Sequence, residues 1–203
     1  MLSEADAKRV ADAINRAEAK TSGEIVAVIA DRSGSHELFA LMWAALIALL
    51  VPWPLIYLTW APMQWVFGMQ LVVFLVLSML FSVRAIQPFL VPRSVQRRWA
   101  HRRAVEQFLA QNMHTTRNRT GVMIFVSAVE RYAEIIADTG IYQRVPKDTW
   151  QAIVDELTGY LGDAQPADGF IKAIEASGVL LAQHFPRGEH GLNELPNHLI
   201  VLR

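Results

Sequence analysis

From Leu38 to Val83 the chain contains no Asp, Glu, Lys, Arg or His. A transmembrane helix needs about 20 apolar residues to cross about 30 Å of hydrocarbon, and this run is roughly twice that long. "TWAPMQW" (residues 59–65) interrupts it with Pro62 between two tryptophans. The run therefore reads as two spans, Leu38–Leu58 and Met63–Val83, joined by a very short turn. Tyr57, Trp60 and Trp65 then form an aromatic belt at that membrane–water interface. A helical hairpin buried inside a soluble core is the competing reading. It asks 203 residues to bury an uncharged block larger than a domain of this size takes up. Pro52 and Pro54 fall inside the first span. Pro54 has no N–H to donate, which predicts a kink of the kind a membrane helix tolerates.

Charge sets the orientation. Net charge is zero overall, but residues 84–119 hold eight arginines, Arg84, Arg93, Arg97, Arg98, Arg102, Arg103, Arg117 and Arg119, against Glu106 alone. Positive residues near span ends are retained on the cytoplasmic side, and the turn between the spans is uncharged. The opening stretch "MLSEADAKRVADAINRAEAK" has no apolar core of a signal peptide. The expectation is a multi-pass protein of the inner (plasma) membrane with both termini in the cytoplasm. Trp60, Trp65, Arg84, Arg93, Arg97 and Arg98 are the candidate membrane-interface residues.

The flanks of the run read as one soluble domain split in two. A helical hairpin returns to the side it left, with its ends about 10 Å apart, so it can replace a surface loop. Residues 1–37 form the first part of the domain, 38–83 the hairpin (38–58 and 63–83), and 84–203 the second part. Ser3 and Asp6 mark the start of a helix over Ser3–Lys20, with Val10, Ala13, Ile14 and Ala17 at helical spacing. "EIVAVIA" (24–30) is apolar on both faces, as in a central strand covered by helices. A helix over 94–113 places Val95, Trp99, Val105, Phe108 and Leu109 along one stripe. Strands at 122–127 and 131–138 form a hairpin across Ala128–Glu130. A helix opens at Pro146 with Trp150, Ile153, Val154 and Leu157 inward. Another follows in "ADGFIKAIEASGVLLAQHF", interrupted by Gly178. The tail "LPNHLIVLR" reads as an edge strand or as a segment along the membrane-proximal surface. The fold class is α/β.

Chemistry leaves few marks. No phosphate-binding glycine loop, nucleophile elbow or H-E-x-x-H motif is present. Without cysteine there is no disulfide, thiolate metal site or cysteine nucleophile. His190 and Glu194 stand four apart, in a Gly- and Pro-rich segment. Asp138, Asp148, Asp163 and Asp168 lie near strand and helix ends, where carboxylates hold hard cations such as Ca²⁺ or Mg²⁺. Asp138 and Asp148 are the candidate ligands. Each also has a simpler role: Asp148 favours a helix N-terminus, Asp163 suits a turn and Asp168 suits a cap. No EF-hand spacing is present. The arginine belt suits lipid headgroups better than nucleic acid, because between Arg93 and Arg103 Trp99 is the only aromatic ring beside the arginines other than His101.

The stretch "TTRNRTGVMIFVSAVERYAEIIADTGI", with "ADGFIKAIEASGVLLAQHFP" and "NELPNHLIVL", resembles the TPM domain family, in its bacterial membrane-bound branch. The resemblance covers Gly23–Ala30 and about Arg103–Arg187. It implies a sandwich with a central mixed β-sheet flanked by helices. Family members include acid phosphatases, divalent-cation binders and accessory subunits of membrane complexes. Many carry an acidic residue and Asn before the glycine that corresponds to Gly121, where this chain has Arg119 and Thr120. The implied role is an interaction or assembly module for a membrane-associated complex, with no catalytic residue or obligatory cofactor. The alternative is a divalent-cation-dependent phosphatase at the membrane surface. Other TPM-domain proteins and LemA-like membrane proteins are the implied partners.

The topology has a direct check. A phosphatase reporter that is active only outside the cytoplasm is expected to be active when fused at Ala61 and silent at the C-terminus. The reverse pattern rejects the orientation.

Overall fold

Four short strands order the chain: β1 (Glu24–Ala30), β2 (Gly121–Ser127), β3 (Tyr132–Ala137) and β4 (Leu199–Leu202), arranged β3-β2-β1-β4. In the computed structural model, residues 3–34, 36–60, 62–83, 85–116, 118–163, 165–187 and 198–202 are described. β1 pairs in parallel with β2 over its full length, from Glu24↔Gly121 to Ala30↔Ser127. β4 pairs in parallel on the other side of β1, from Ala27↔Leu199, and is one of the two edge strands, β3 being the other. β3 returns antiparallel to β2. The sheet is therefore mixed, and β1 and β2 are central, which is why both are apolar on both faces.

The chain divides into two units, Met1–Ser33 with Arg97–Arg203, and Gly34–Gln96. In the first, the two faces of the sheet are covered by different helices. Ile25, Ala27, Val122, Ile124, Ala133 and Ile135 meet α1 (Glu4–Glu18), α8 (Lys147–Gly162) and α9 (Pro166–His184). Val26, Val28, Met123 and Phe125 face the other way, onto Ala100, Ala104 and Phe108 of α6 (Arg93–Ala110). The alternation of neighbouring residues between the two clusters is the period-2 pattern of a strand. The start of α1 follows the sequence. Ser3 Oγ accepts from Asp6 N at 3.1 Å, Asp6 reaches back to Ser3 N, and these bonds hold the Asp6 carboxyl below its ordinary range.

Two expectations fail here, both for reasons of close packing. Of the stripe Val95–Trp99–Val105–Phe108–Leu109, Phe108 is buried, Val95 and Trp99 are half-buried, and Val105 and Leu109 are not part of the buried face of α6. Gln96, Ala100, Ala104 and Phe108 point inward, while Val105 and Leu109 are exposed. Small residues win because the helix then lies close to the sheet, and hydrophobicity alone does not reveal that preference. Gly178 does not interrupt its helix either, since α9 runs unbroken. A Cβ at Gly178 would stand 2.7 Å from Ala17 Cβ, so the glycine is the contact point between α9 and α1.

The second unit holds α2 (His36–Leu50), α3 (Pro52–Leu58), α4 (Met63–Phe81) and α5 (Gln87–Leu90), and follows β1 directly. His36–Leu58 and Met63–Phe81 are long and apolar enough to cross a membrane, and only 17% and 6% of their most apolar windows are buried. His36, Ala40, Ala44 and Ala48 of α2, Val66 of α4 and Gln87 of α5 are the buried positions of these helices. The break between α2 and α3 falls at Val51, one turn earlier than Pro54. Pro52 cannot donate to Ala48 O, and Val51 N takes that carbonyl instead at 3.2 Å. Val51 keeps helical angles (φ −59°, ψ −41°) between the two helices. Ala61 lies outside the described residues.

Two glycines in neighbouring helices separate close packing from helix propensity. Gly178→Val should destabilise the soluble unit by about 1–3 kcal/mol through overpacking against Ala17. Gly159, where a Cβ would meet nothing within 4 Å, should gain about 0.5–1 kcal/mol on replacement by Ala. Urea denaturation of the two variants checks both signs.

Candidate functional site

Asp138 follows the last residue of β3 and caps α7 (Thr139–Tyr142), a short helix the sequence did not announce. Its Oδ1 accepts from Thr139 N at 2.6 Å and from Thr139 Oγ1 at 3.1 Å. Arg119 Nη1 stands 4.0 Å from the same oxygen. The side chain is 5% exposed, and Oδ2 has no hydrogen-bond partner among the described residues. Gly140 shapes this corner: a Cβ there would lie 2.7 Å from Arg119 O and 2.8 Å from Asn118 O. Only glycine lets residues 118 and 119 lie so near α7. Arg119 takes a left-handed backbone (φ 54°) to make the corner before β2. One carboxylate oxygen of Asp138 is thus occupied by the cap, and the nearest charge is a cation.

The other carboxylates do not join it. Asp148 is exposed in the first turn of α8, without an ion pair or side-chain hydrogen bond among the described residues. Asp163 is the C-cap of α8. Asp168 accepts from Arg9 Nη2 at 2.6 Å, a bond that raises the Arg9 pKa further. Among the described residues, no group of three or more His, Asp and Glu is placed to hold a metal ion. His190 and Glu194 lie outside the described residues.

Of the candidate interface residues, Trp60 is fully exposed and Trp65 is 72% exposed, on either side of the turn between α3 and α4. Trp53 and Tyr57 stack with ring centroids 6.1 Å apart. Arg93, Arg97 and Arg98 are exposed along the first turns of α6, and Arg84 lies outside the described residues. Farther along α6, Arg102 and Arg103 both reach Glu106, at 3.2 and 3.5 Å.

Two polar clusters escaped sequence reasoning, because neither has a fixed spacing. At the carboxyl ends of β1 and β2, Ser127 Oγ donates to Glu130 Oε2 at 2.5 Å. Ser33 Oγ lies 2.6 Å from Ser127 Oγ, and Ser33 N donates to Glu130 Oε1 at 3.1 Å. Ligands of α/β sheets often sit at such strand ends. Here the Ser127 hydroxyl is wholly buried, and the cluster ties the exit of β1 to the β2–β3 turn. The second cluster lies between α6 and β3. Glu134 binds His101 Nδ1 at 2.9 Å and accepts from Tyr132 Oη at 3.1 Å. The alternation in "YAEIIA" was its only signal, since it puts Tyr132 and Glu134 on one face.

Comparison with known proteins adds the following. The family model described as TPM domain matches residues 85–179. No curated protein matches the chain. The NMR structure of the BA42 protein from the psychrophilic bacterium Bizionia argentinensis is similar to this chain, with a TM-score of 0.63 at 20% identity. The match covers 99% of this chain and 95% of that one, and shows the fold.

Tyr132 gives the site a pH signature. Burial first, then the Glu134 carboxylate, raise its phenol above the usual 10.0, with Arg97 opposing. The unfolded chain therefore loses this proton first. The stabilisation is present below about pH 10 and is lost as pH rises beyond it. Tyr132→Phe should flatten the fall in urea stability above about pH 10, and an unchanged slope counts against the assignment.

Proposed function

We propose that this chain, whose residues 85–179 are a TPM domain, is an integral membrane protein presenting that domain as an interaction and assembly module for a membrane-associated complex. The observation that carries the reading is the position of two exposed apolar helices. They are inserted between β1 and β2, strands adjacent in one sheet. A soluble protein rarely leaves so large an apolar surface in water, whereas lipid removes the penalty. The uncharged turn and the arginines after the second span favour a cytoplasmic side for the domain. Trp60 and Trp65 mark the far interface, and Arg84, Arg93, Arg97 and Arg98 the near one.

A module of this kind needs an exposed surface held close to the bilayer. Other TPM-domain proteins and LemA-like membrane proteins are the partners that the family resemblance suggests. Phosphate-ester hydrolysis makes larger demands. It needs a positioned nucleophile and charge stabilisation on the transferring group. Asp138 is engaged as a cap, Ser127 is buried, and the arginines of α6 have the lipid surface to serve.

The experiment is purification of the full chain from membranes in gentle detergent, followed by mass spectrometry and a phosphatase assay with Mg²⁺ or Ca²⁺. A membrane protein should co-purify in fixed ratio, with no ester turnover above buffer. Turnover that follows the protein and is lost in Asp138→Ala with the fold intact would replace the module by a hydrolase.

A further inference from the structure

The chain that leaves the second span is folded into a braced elbow. Gln87 is buried, and its Nε2 donates to Ser82 O at 3.3 Å. Gln96 is buried as well, and its Nε2 donates to Pro88 O at 2.6 Å and to Val91 O at 3.0 Å. Ile86 N and Gln87 N both donate to Val83 O. These bonds hold α5 in place and leave one large side chain projecting from it. Phe89 is 88% exposed. A single exposed apolar side chain is ordinary on a soluble surface. The place of this one is what gives it meaning.

The height of α5 along the hairpin indicates what covers Phe89. The Trp43 indole donates to Leu90 O at 3.0 Å, and α5 packs against α2. Trp43 lies inside the uncharged run that begins at Leu38. Leu90, the next residue after Phe89, is therefore held level with a residue of the first span. Trp43 stands about 10 Å along α2 from His36, at 1.5 Å per residue. That is the depth at which headgroups give way to acyl chains, where tryptophan is enriched. Four residues after Phe89, exposed Arg93 opens α6. An apolar ring with a nearby cation suits this boundary: the ring enters the acyl region and the guanidinium stays among the phosphates.

We propose that α5 is an interfacial lipid anchor. Phe89 is inserted about 5–10 Å into the headgroup–acyl boundary of the leaflet where the second span ends. This rests on the membrane-spanning reading of the hairpin and adds to it a third membrane contact, one that does not cross the bilayer. The elbow is ordered before it meets lipid, so insertion costs little conformational entropy.

The chain has no cysteine, so single-cysteine variants of the full protein carry an environment-sensitive fluorophore at one chosen position. The variants are Phe89→Cys, Val72→Cys at the middle of α4, and Val179→Cys on α9. Val72 and Val179 are both more than half exposed. Each protein is reconstituted in phosphatidylcholine vesicles that contain lipids with a nitroxide either high on the acyl chain or near its end. The Phe89→Cys label should emit to the blue of the Val179→Cys label and be quenched most by the high nitroxide. The Val72→Cys label should be quenched most by the deep one. A Val72→Cys label that neither nitroxide quenches removes the membrane reading itself, and the anchor with it. With Val72→Cys quenched as expected, three results overturn the anchor alone. They are a Phe89→Cys label as wet as that at Val179→Cys, one quenched most by the deep nitroxide, or one shielded from water and from both nitroxides, which would mean that protein covers it.

Discussion

The parallel pairing of β1 with β2 is the constraint on which the rest depends. Seven residue pairs, Glu24↔Gly121 through Ala30↔Ser127, join strands separated by the entire hairpin and by α6. The two-sided core forms only when these strands are adjacent, because Ile25, Ala27, Val122 and Ile124 build one cluster and Val26, Val28, Met123 and Phe125 the other. Closing a long loop costs little more than closing a moderate one, about 0.6 kcal/mol per doubling of length. A hairpin is also a loop whose ends start close together. An insertion of this size is therefore thermodynamically tolerable at this point in the sheet.

Buried polar groups fix the two ends of that strand pair. At the entrance, Glu18 Oε1 accepts from Ile25 N at 2.7 Å, and Thr21 Oγ1 donates to Phe185 O at 2.6 Å, tying the start of β1 to α1 and α9. At the exit, the Ser33–Ser127–Glu130 cluster locks the chain just before it leaves for the hairpin. Buried hydrogen-bonded side chains are costly to leave unmade, so they define a register that apolar packing alone would leave loose. The hairpin lacks such ties along most of its length. Its hydroxyls at Thr59, Ser78 and Ser82 bond carbonyls four residues back on their own helices.

The central strands, the β2–β3 hairpin, the capping box at Ser3 and the helix at Pro146 were all legible, because each is written in local periodicity or cap chemistry. The mixed central sheet agrees with the family resemblance. The buried face of α6 was misread, since Val105 and Leu109 are more hydrophobic than Ala100 and Ala104, and only the sheet's proximity favours small side chains. Gly178 was misread for the same reason: its missing Cβ is an inter-helix contact, and only the neighbouring Ala17 reveals this. Asp163 ends α8 as its C-cap, whereas Asp168, expected as a cap, is instead paired with Arg9 while Gln165 takes the N-cap position of α9.

The sequence by itself determined what is local or additive: the length and apolarity of the two hairpin helices, the arginine excess after them, and the alternation that makes β1 and β2 central. These depend on residue type and spacing along one segment, and no distant neighbour can change them. The tertiary structure decided which side chains share an environment. It put Asp138 against Thr139 and Arg119 rather than against other carboxylates, paired Asp168 with Arg9, and joined His101 to Glu134 and Tyr132. Such contacts unite residues far apart in the chain, and their energies exist only once the fold has set the distances between them.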